Sequence, residues 1–284
     1  MIELDDITLR SLQLTELELL AEVHRICTKC AIHYNIIAGT LLGAVRHGGF
    51  IPWDDDADVA LLRLEYERFR KACRTELDHD RFYFQDQRNT PGYRWGYGKL
   101  RRKNTLFLRE CQEHMPYPQG VFIDIFPLDY VPENYTLRQI HNLKCFLYRK
   151  FFWAEAGRKA DPSPVMRLLY HMMAKVPERK LKKGFYRFIQ KSNQKKSGWV
   201  RILTFPTPNR AYGYRADWYL HSADIFFEGI KLRGIRDYEA YLTFKFGNYK
   251  ELPPESERKT HPVSRIRVLE GMQRYETDKV ISKF

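Results

Sequence analysis

Apolar residues recur at helical spacing from Thr15 to about His33, with Leu19, Leu20, Val23, Ile26, Cys27 and Cys30 on one face and Glu18, Glu22 and Lys29 on the other. That periodicity predicts an amphipathic helix. The short apolar run Ile36, Ile37, Ala38 reads as a strand that ends at Gly39, and a short helix is expected to follow with Thr40 as its N-cap. Gly48, Gly49 and Pro52 break that helix. From Asp54 to Leu62 the chain alternates polar and apolar and then turns wholly apolar, as a strand does on entering a core from a wet edge.

A helix is expected over 65–77, then strands at 81–85, 93–100, 106–108 and 120–126, the last closed by Pro127. Helices and strands mixed in this order predict an α+β or mixed α/β catalytic core that ends near Val131. From Leu137 to about Lys196 the pattern turns helical and basic, with aromatics such as Phe146, Phe152, Trp153 and Phe185 between the lysines and arginines. A further helix is expected from Tyr238, ended by Gly247 and a proline-stiffened exit at Pro253 and Pro254. The domain reading is therefore 1–131 for the catalytic core, and 132–284 for a basic helical subdomain plus a C-terminal segment packing back on that core.

The net charge of +13 over 284 residues calls for anionic partners: nucleotides, phosphorylated glycans or an acidic membrane surface, with nucleic acid least favoured. The basic helices suit plain solvation, peripheral contact with a membrane or capture of an anionic acceptor. No stretch is long and apolar enough for a transmembrane helix, and the acidic start is unlike an export signal, so a cytoplasmic location is expected. Five scattered cysteines do not form a secreted disulfide framework, and Cys27 and Cys30 fit helix-face packing better than a metal or redox pair.

The chemistry is concentrated in Asp54, Asp55, Asp56 and Asp58. In a strand, residues two apart project from one face, so Asp56 and Asp58 are expected to aim their carboxylates the same way while Ala57 and Val59 pack behind them. Paired carboxylates repel unless a cation lies between them. Hard oxygen ligands at this spacing suit Mg²⁺ or Mn²⁺, which keep open positions for substrate phosphates. Upstream, Gly39 and Thr40 at a strand-to-helix turn offer backbone N–H groups and a hydroxyl to a phosphate. Arg46, His47, Lys99 and Arg101 are further candidates for phosphate binding.

The stretch from Gly39 to Asp58, GTLLGAVRHGGFIPWDDDAD, closely resembles the signature of the LicD family, a branch of the nucleotidyltransferase superfamily that includes the fukutin-type proteins. The resemblance continues through 99–105 (KLRRKNT), 120–129 (GVFIDIFPLD) and 252–261 (LPPESERKTH), and so spans about 20 to 261. Within the basic stretch 137–196 no family motif is recognised. Phe246 and Gly247 stand where the family usually has Tyr-Gly.

The resemblance implies a nucleotidyltransferase-like mixed sheet and transfer of a phospho-alcohol, phosphocholine first, from a CDP-alcohol donor to a hydroxyl of a cell-surface glycan or its lipid-linked precursor. It also implies a third carboxylate on a neighbouring strand. Asp124, between Ile123 and Ile125, is the candidate for that third metal ligand and for general base, whereas Asp129 is expected to be a turn or capping residue. Three rival readings remain open: a nucleotidyltransferase that leaves NMP on its acceptor, a glycosyltransferase using a nucleotide sugar, and a non-catalytic membrane- or nucleic-acid-binding module.

Overall fold

The computed structural model describes residues 4–269 apart from 208 and 259; the first three residues of the acidic start and the tail beyond 269 lie outside them. Helix α1 (Asp6–Lys29) is followed by β1 (Asn35–Ile36), α2 (Ala38–His47), β2 (Asp58–Leu62), α3 (Arg63–Ala72), β3 (Phe82–Gln85), β4 (Gly98–Arg102), β5 (Leu106–Arg109) and β6 (Phe122–Tyr130). Three helices come next, α4 (Tyr135–Ala160), α5 (Pro164–Ala174) and α6 (Glu178–Ser192). The chain then forms β7 (Trp199–Arg201), β8 (Tyr214–Arg215), α7 (Ala216–Leu220), β9 (Ser222–Phe227), β10 (Ile230–Ile235), α8 (Tyr238–Phe246) and β11 (Val263–Arg267).

The fold is α+β. Its main sheet runs β3-β4-β6-β2-β1-β10-β9, with β7 and β8 continuing from the far end of β6. β2 and β6 are parallel, as are β1 and β10, while the other neighbours along this path are antiparallel. Strands from both sides of residue 131 share this sheet, and β5 pairs with β11 in a separate ribbon. β6 lies between β4 and β2, and its residues 122–129 are all buried. An apolar strand such as this one is the expected occupant of a sheet centre covered on both faces.

Several elements depart from expectation for identifiable reasons. α1 starts at Asp6, well before Thr15, because Asp5 caps it through a 2.7 Å bond from the Thr8 N–H and because Leu9 and Leu12 extend the buried stripe. Pro127 does not close β6 but lies inside it. The antiparallel ladder from β4 ends at Ile125 and that from β7 begins at Asp129, so the missing N–H of Pro127 faces a gap between two partners. Asp129 is neither turn nor cap: it is fully buried in β6, where Arg63 Nε and Nη2 donate to its two oxygens at 2.7 and 2.6 Å and Asn193 adds a bond of 2.6 Å.

The basic stretch is helical, as its periodicity predicts. α4 and α5 form an antiparallel pair, and α6 buries Leu181, Phe185 and Ile189 against Cys145 and Phe152 of α4. α8 ends at Gly247, whose φ of 71° forms the expected C-cap. Cys27 is packed in the core and Cys30 caps α1, and all five cysteines are free thiols. Among the described residues no helix is long and apolar enough to cross a membrane.

Candidate active site

The strand entering the core places the first carboxylates. β2 begins at Asp58, so the expected strand from Asp54 is shorter by its four leading residues, and Asp56 sits in the approach to it. Asp58 is the register partner of Asp124 on parallel β6, and the Asp124 N–H donates to Ala57 O at 2.9 Å. Asp56, Asp58 and Asp124 line one cavity of about 570 Å³.

The turn before α2 holds this arrangement from behind. Ala38 is in the left-handed region with φ 51°, an uncommon conformation for a residue with a side chain. Ile37, not Thr40, is the N-cap. Instead, Thr40 Oγ1 accepts from the Asp58 N–H at 2.8 Å, which ties α2 to the first residue of β2. At Gly39 a Cβ would lie 2.7 Å from Asp54 Oδ2, so only glycine lets that carboxylate pack against the turn. Gly39 and Thr40 thus support the aspartates and do not themselves line the cavity.

Of the basic candidates, Lys99 and Arg101 on β4 line the cavity. Lys99 Nζ donates to Asp124 Oδ1 at 2.5 Å and lies 3.3 Å from the centre of the Phe122 ring. Burial outweighs the support of Asp124 and lowers the Lys99 ammonium to about 7. Arg101 spends donors on Gln85 Oε1 and Gly120 O, both at 2.7 Å. Arg46 and His47 are not brought to the cavity: Arg46, in the last turn of α2, donates to the carbonyls of Tyr249 and Glu251 at 3.0 and 3.2 Å. Trp53 packs against the core with the Arg258 guanidinium over its ring at 4.7 Å.

Sequence reasoning missed three members of the site. Arg109, at the end of β5, puts Nη2 3.6 Å from Asp56 Oδ2, and its buried Nε and Nη2 have no hydrogen-bond partner. Burial works against this cation, but Asp56, Asp124 and Asp55 keep it charged. His261, the last residue of the tail motif, engages Asp55 through Nδ1 at 2.8 Å and through its backbone N–H at 3.0 Å. The hydrogen bond to Asp55 raises its pKa, and its Nδ1 also lies 3.6 Å from Asp56. Glu16 on α1 is fully buried with Oε2 unpartnered, and its pKa is raised well above the usual carboxyl range by burial and then by Asp56, Asp55 and Asp54. A glutamate within the Leu12, Leu19, Leu20 stripe was the available signal for Glu16.

The electrostatic balance of the cavity is that of crowded carboxylates. Burial, then Asp56 and Asp55, pushes Asp54 up to about 8. Burial, then Asp56 and Asp124, raises Asp58 well above the carboxyl range, and its oxygens have no hydrogen-bond or ion-pair partner among the described residues. An acceptor-only donor set under mutual repulsion is what a hard divalent cation relieves. Among the described residues no three His, Cys, Asp or Glu side chains already converge on a point fit for a metal, since Asp124 is held by Lys99 and Asp55 by His261. The pair that fits a cation by chemistry is therefore Asp56 and Asp58.

Residues 31–152, which contain this whole carboxylate set apart from Glu16, match the family described as LicD/FKTN/FKRP, nucleotidyltransferase domain. That match is to a LicD-family domain. The similarity runs beyond it: the lipopolysaccharide cholinephosphotransferase LicD of Haemophilus influenzae is 28% identical over 274 residues, covering 93% of this chain and 99% of that protein. An uncharacterized protein of Rickettsia typhi is 38% identical over 72 residues, 23% of each chain, and one of Rickettsia prowazekii is 51% identical over 45 residues, 16% of this chain and 17% of that protein. Elements outside the matched residues complete the cavity, because His261, Tyr170 and Phe205 also line it.

Proposed function

We propose that this protein is a metal-dependent phosphotransferase that moves phosphocholine, or a related phospho-alcohol, from a CDP-alcohol to a hydroxyl of a cell-surface glycan or its lipid-linked precursor. The observation that carries the reading is the meeting of Asp56, Asp58 and Asp124 with Lys99 and Arg109 in one cavity, in a chain similar along nearly its whole length to a lipopolysaccharide cholinephosphotransferase. Mg²⁺ or Mn²⁺ held by Asp56 and Asp58, with Asp124 as a third carboxylate, would offset charge on the diphosphate oxygens.

The remaining work falls to side chains. Arg109, whose buried Nε and Nη2 lack hydrogen-bond partners, can donate to the diphosphate, and Lys99 supplies a second donor. The acceptor oxygen attacks the phosphorus that bears the alcohol, its bond to the bridging oxygen breaks, and CMP leaves with that oxygen. The acceptor proton goes to Asp124, which has one oxygen bonded to Lys99. The helical subdomain supports peripheral membrane contact: α4 exposes Leu137, Ile140, Leu143 and Leu147, and α5 exposes Val165, Leu168 and Met172, alongside Lys144, Arg167 and Lys175.

The test is incubation with Mg²⁺ and a panel of CDP-choline, CDP-glycerol and CDP-ribitol, with and without a lipopolysaccharide acceptor. CMP release that requires metal and is lost in Asp56→Ala is the expected result. Pyrophosphate release from a nucleoside triphosphate would instead establish a nucleotidyltransferase, and turnover unchanged in Asp56→Ala would sink the site assignment.

A further inference from the structure

Part of the cavity lining is aromatic, and the carboxylate chemistry gives it no task. Trp95 and Tyr97 come from the segment leading into β4, Trp153 from α4 and Tyr170 from α5, and all four line the same cavity as Asp56 and Asp58. The Trp95 and Trp153 ring centres are 5.6 Å apart with their planes inclined at 40°, so they form an open angle and not a closed stack. Both rings are half-buried and rest on a small core of Tyr93, Met115, Tyr117 and Ala156, which fixes their backs.

The third ring is brought in by a glycine. A Cβ on Gly157 would stand 2.7 Å from Tyr170 Cδ2 and 2.8 Å from Trp153 Cδ1, so any larger residue at this place on α4 would push the two rings off that spot. Tyr170 itself is 1% exposed, and its hydroxyl accepts from Lys150 Nζ at 2.7 Å. Asp161, the C-cap of α4, adds a carboxylate to the same lining, while Arg149 and Lys150 add cations. Inclined aromatic faces with one carboxylate attract a quaternary ammonium, which cannot donate hydrogen bonds and prefers π faces to water. The adjacent basic side chains suit the phosphate that the same headgroup carries.

We propose that Trp95, Trp153 and Tyr170 form the headgroup site, selecting a trimethylammonium group over a primary amine or a polyol. The inference rests on the phosphotransferase reading for its donor, but names a ligand chemistry that can be tested by binding alone. It also gives the helical subdomain a role in specificity, since two of the three rings belong to α4 and α5.

Two measurements on the full chain decide it. In calorimetry, phosphocholine should bind the wild type about tenfold or more tightly than phosphoethanolamine, and Trp153→Leu and Tyr170→Leu should each remove most of that difference. Trp153→Phe, which keeps a π face, should retain the larger part. In turnover, Trp153→Leu should raise KM for CDP-choline about tenfold and leave the inhibition constant for CMP within about twofold. Equal weakening of CMP and phosphocholine would mean that the rings stack on the base, and an unchanged preference in both leucine variants would remove the headgroup site; either result overturns the proposal. Selective phosphocholine binding without CMP release from any CDP-alcohol would leave the headgroup site standing and defeat the phosphotransferase reading. Melting curves of each variant separate loss of fold from loss of the site.

Discussion

Asp58 and Asp124 are direct register partners across the parallel pairing of β2 and β6. Side chains at such partners project from the same face of a sheet, so the strand pairing itself forces two carboxylates together. Burial, then the charges of Asp56 and Asp124, raises the Asp58 carboxyl well above the usual range. Asp58→Asn should therefore lower CMP release by at least about 100-fold while leaving the melting temperature equal or higher, because a like-charge contact is removed. A calorimetric melt beside a CMP-release assay checks both halves; loss of activity with a large loss of stability would point to a structural carboxylate.

Lys99 occupies the oxygen of Asp124 that a cation would otherwise help to neutralise. Lys99→Met leaves a buried carboxylate without its partner, at a cost of about 3 kcal/mol. Millimolar Mg²⁺ or Mn²⁺ should restore part of the lost melting temperature in this variant, and do so less in Lys99→Met combined with Asp124→Asn. If neither cation shifts the melt of the wild type or the variant, no cation is bound by these carboxylates.

How far the site was legible in the sequence depends on the range of the contacts. Asp58 could be read because the apolar run that makes β2 is a local property, and Lys99 because it lies in a recognisable stretch on β4; Asp56 reaches the cavity from the approach to β2, outside the strand expected to aim it. Arg109 and His261 could not be read, since each reaches Asp55 or Asp56 only through tertiary folding; the His261 contact closes a span of 206 residues. Asp129 was misread for a related reason. Pro127 looked like a strand terminator, but the gap between β4 and β7 that accommodates it exists only in the assembled sheet. Periodicity likewise found α4 and α6 but not the β9–β10 hairpin that extends the sheet beyond β1.

The exposed stripes on α4 and α5 lead to a prediction about location. Replacing Leu143 and Leu147, 58% and 44% exposed, with glutamate should abolish flotation with phosphatidylglycerol vesicles and preserve CMP release in solution. Wild-type flotation should weaken with added salt, as binding that uses the neighbouring lysines and arginines requires. Flotation that is equal on neutral and anionic vesicles would rule out the basic residues as part of the contact.

Glu16 provides a pH-dependent measure of the same charge crowding. Its carboxyl faces Asp54, Asp55 and Asp56 from α1, with Arg109 the nearby cation that opposes them. Because its folded pKa is raised above the unfolded value, the folded state binds the extra proton in the window between the two. Stability from this group is then fully present below the unfolded pKa and falls as pH rises through the folded one. Glu16→Gln removes that loss and fills the site with an isosteric neutral group. The variant should match the wild type near pH 4 and exceed it by about 1–3 kcal/mol at and above neutrality. Denaturant melts at a series of pH values give the comparison directly. A stability difference that is flat with pH would mean that Glu16 carries the same charge in both states, and that the aspartates do not press on it.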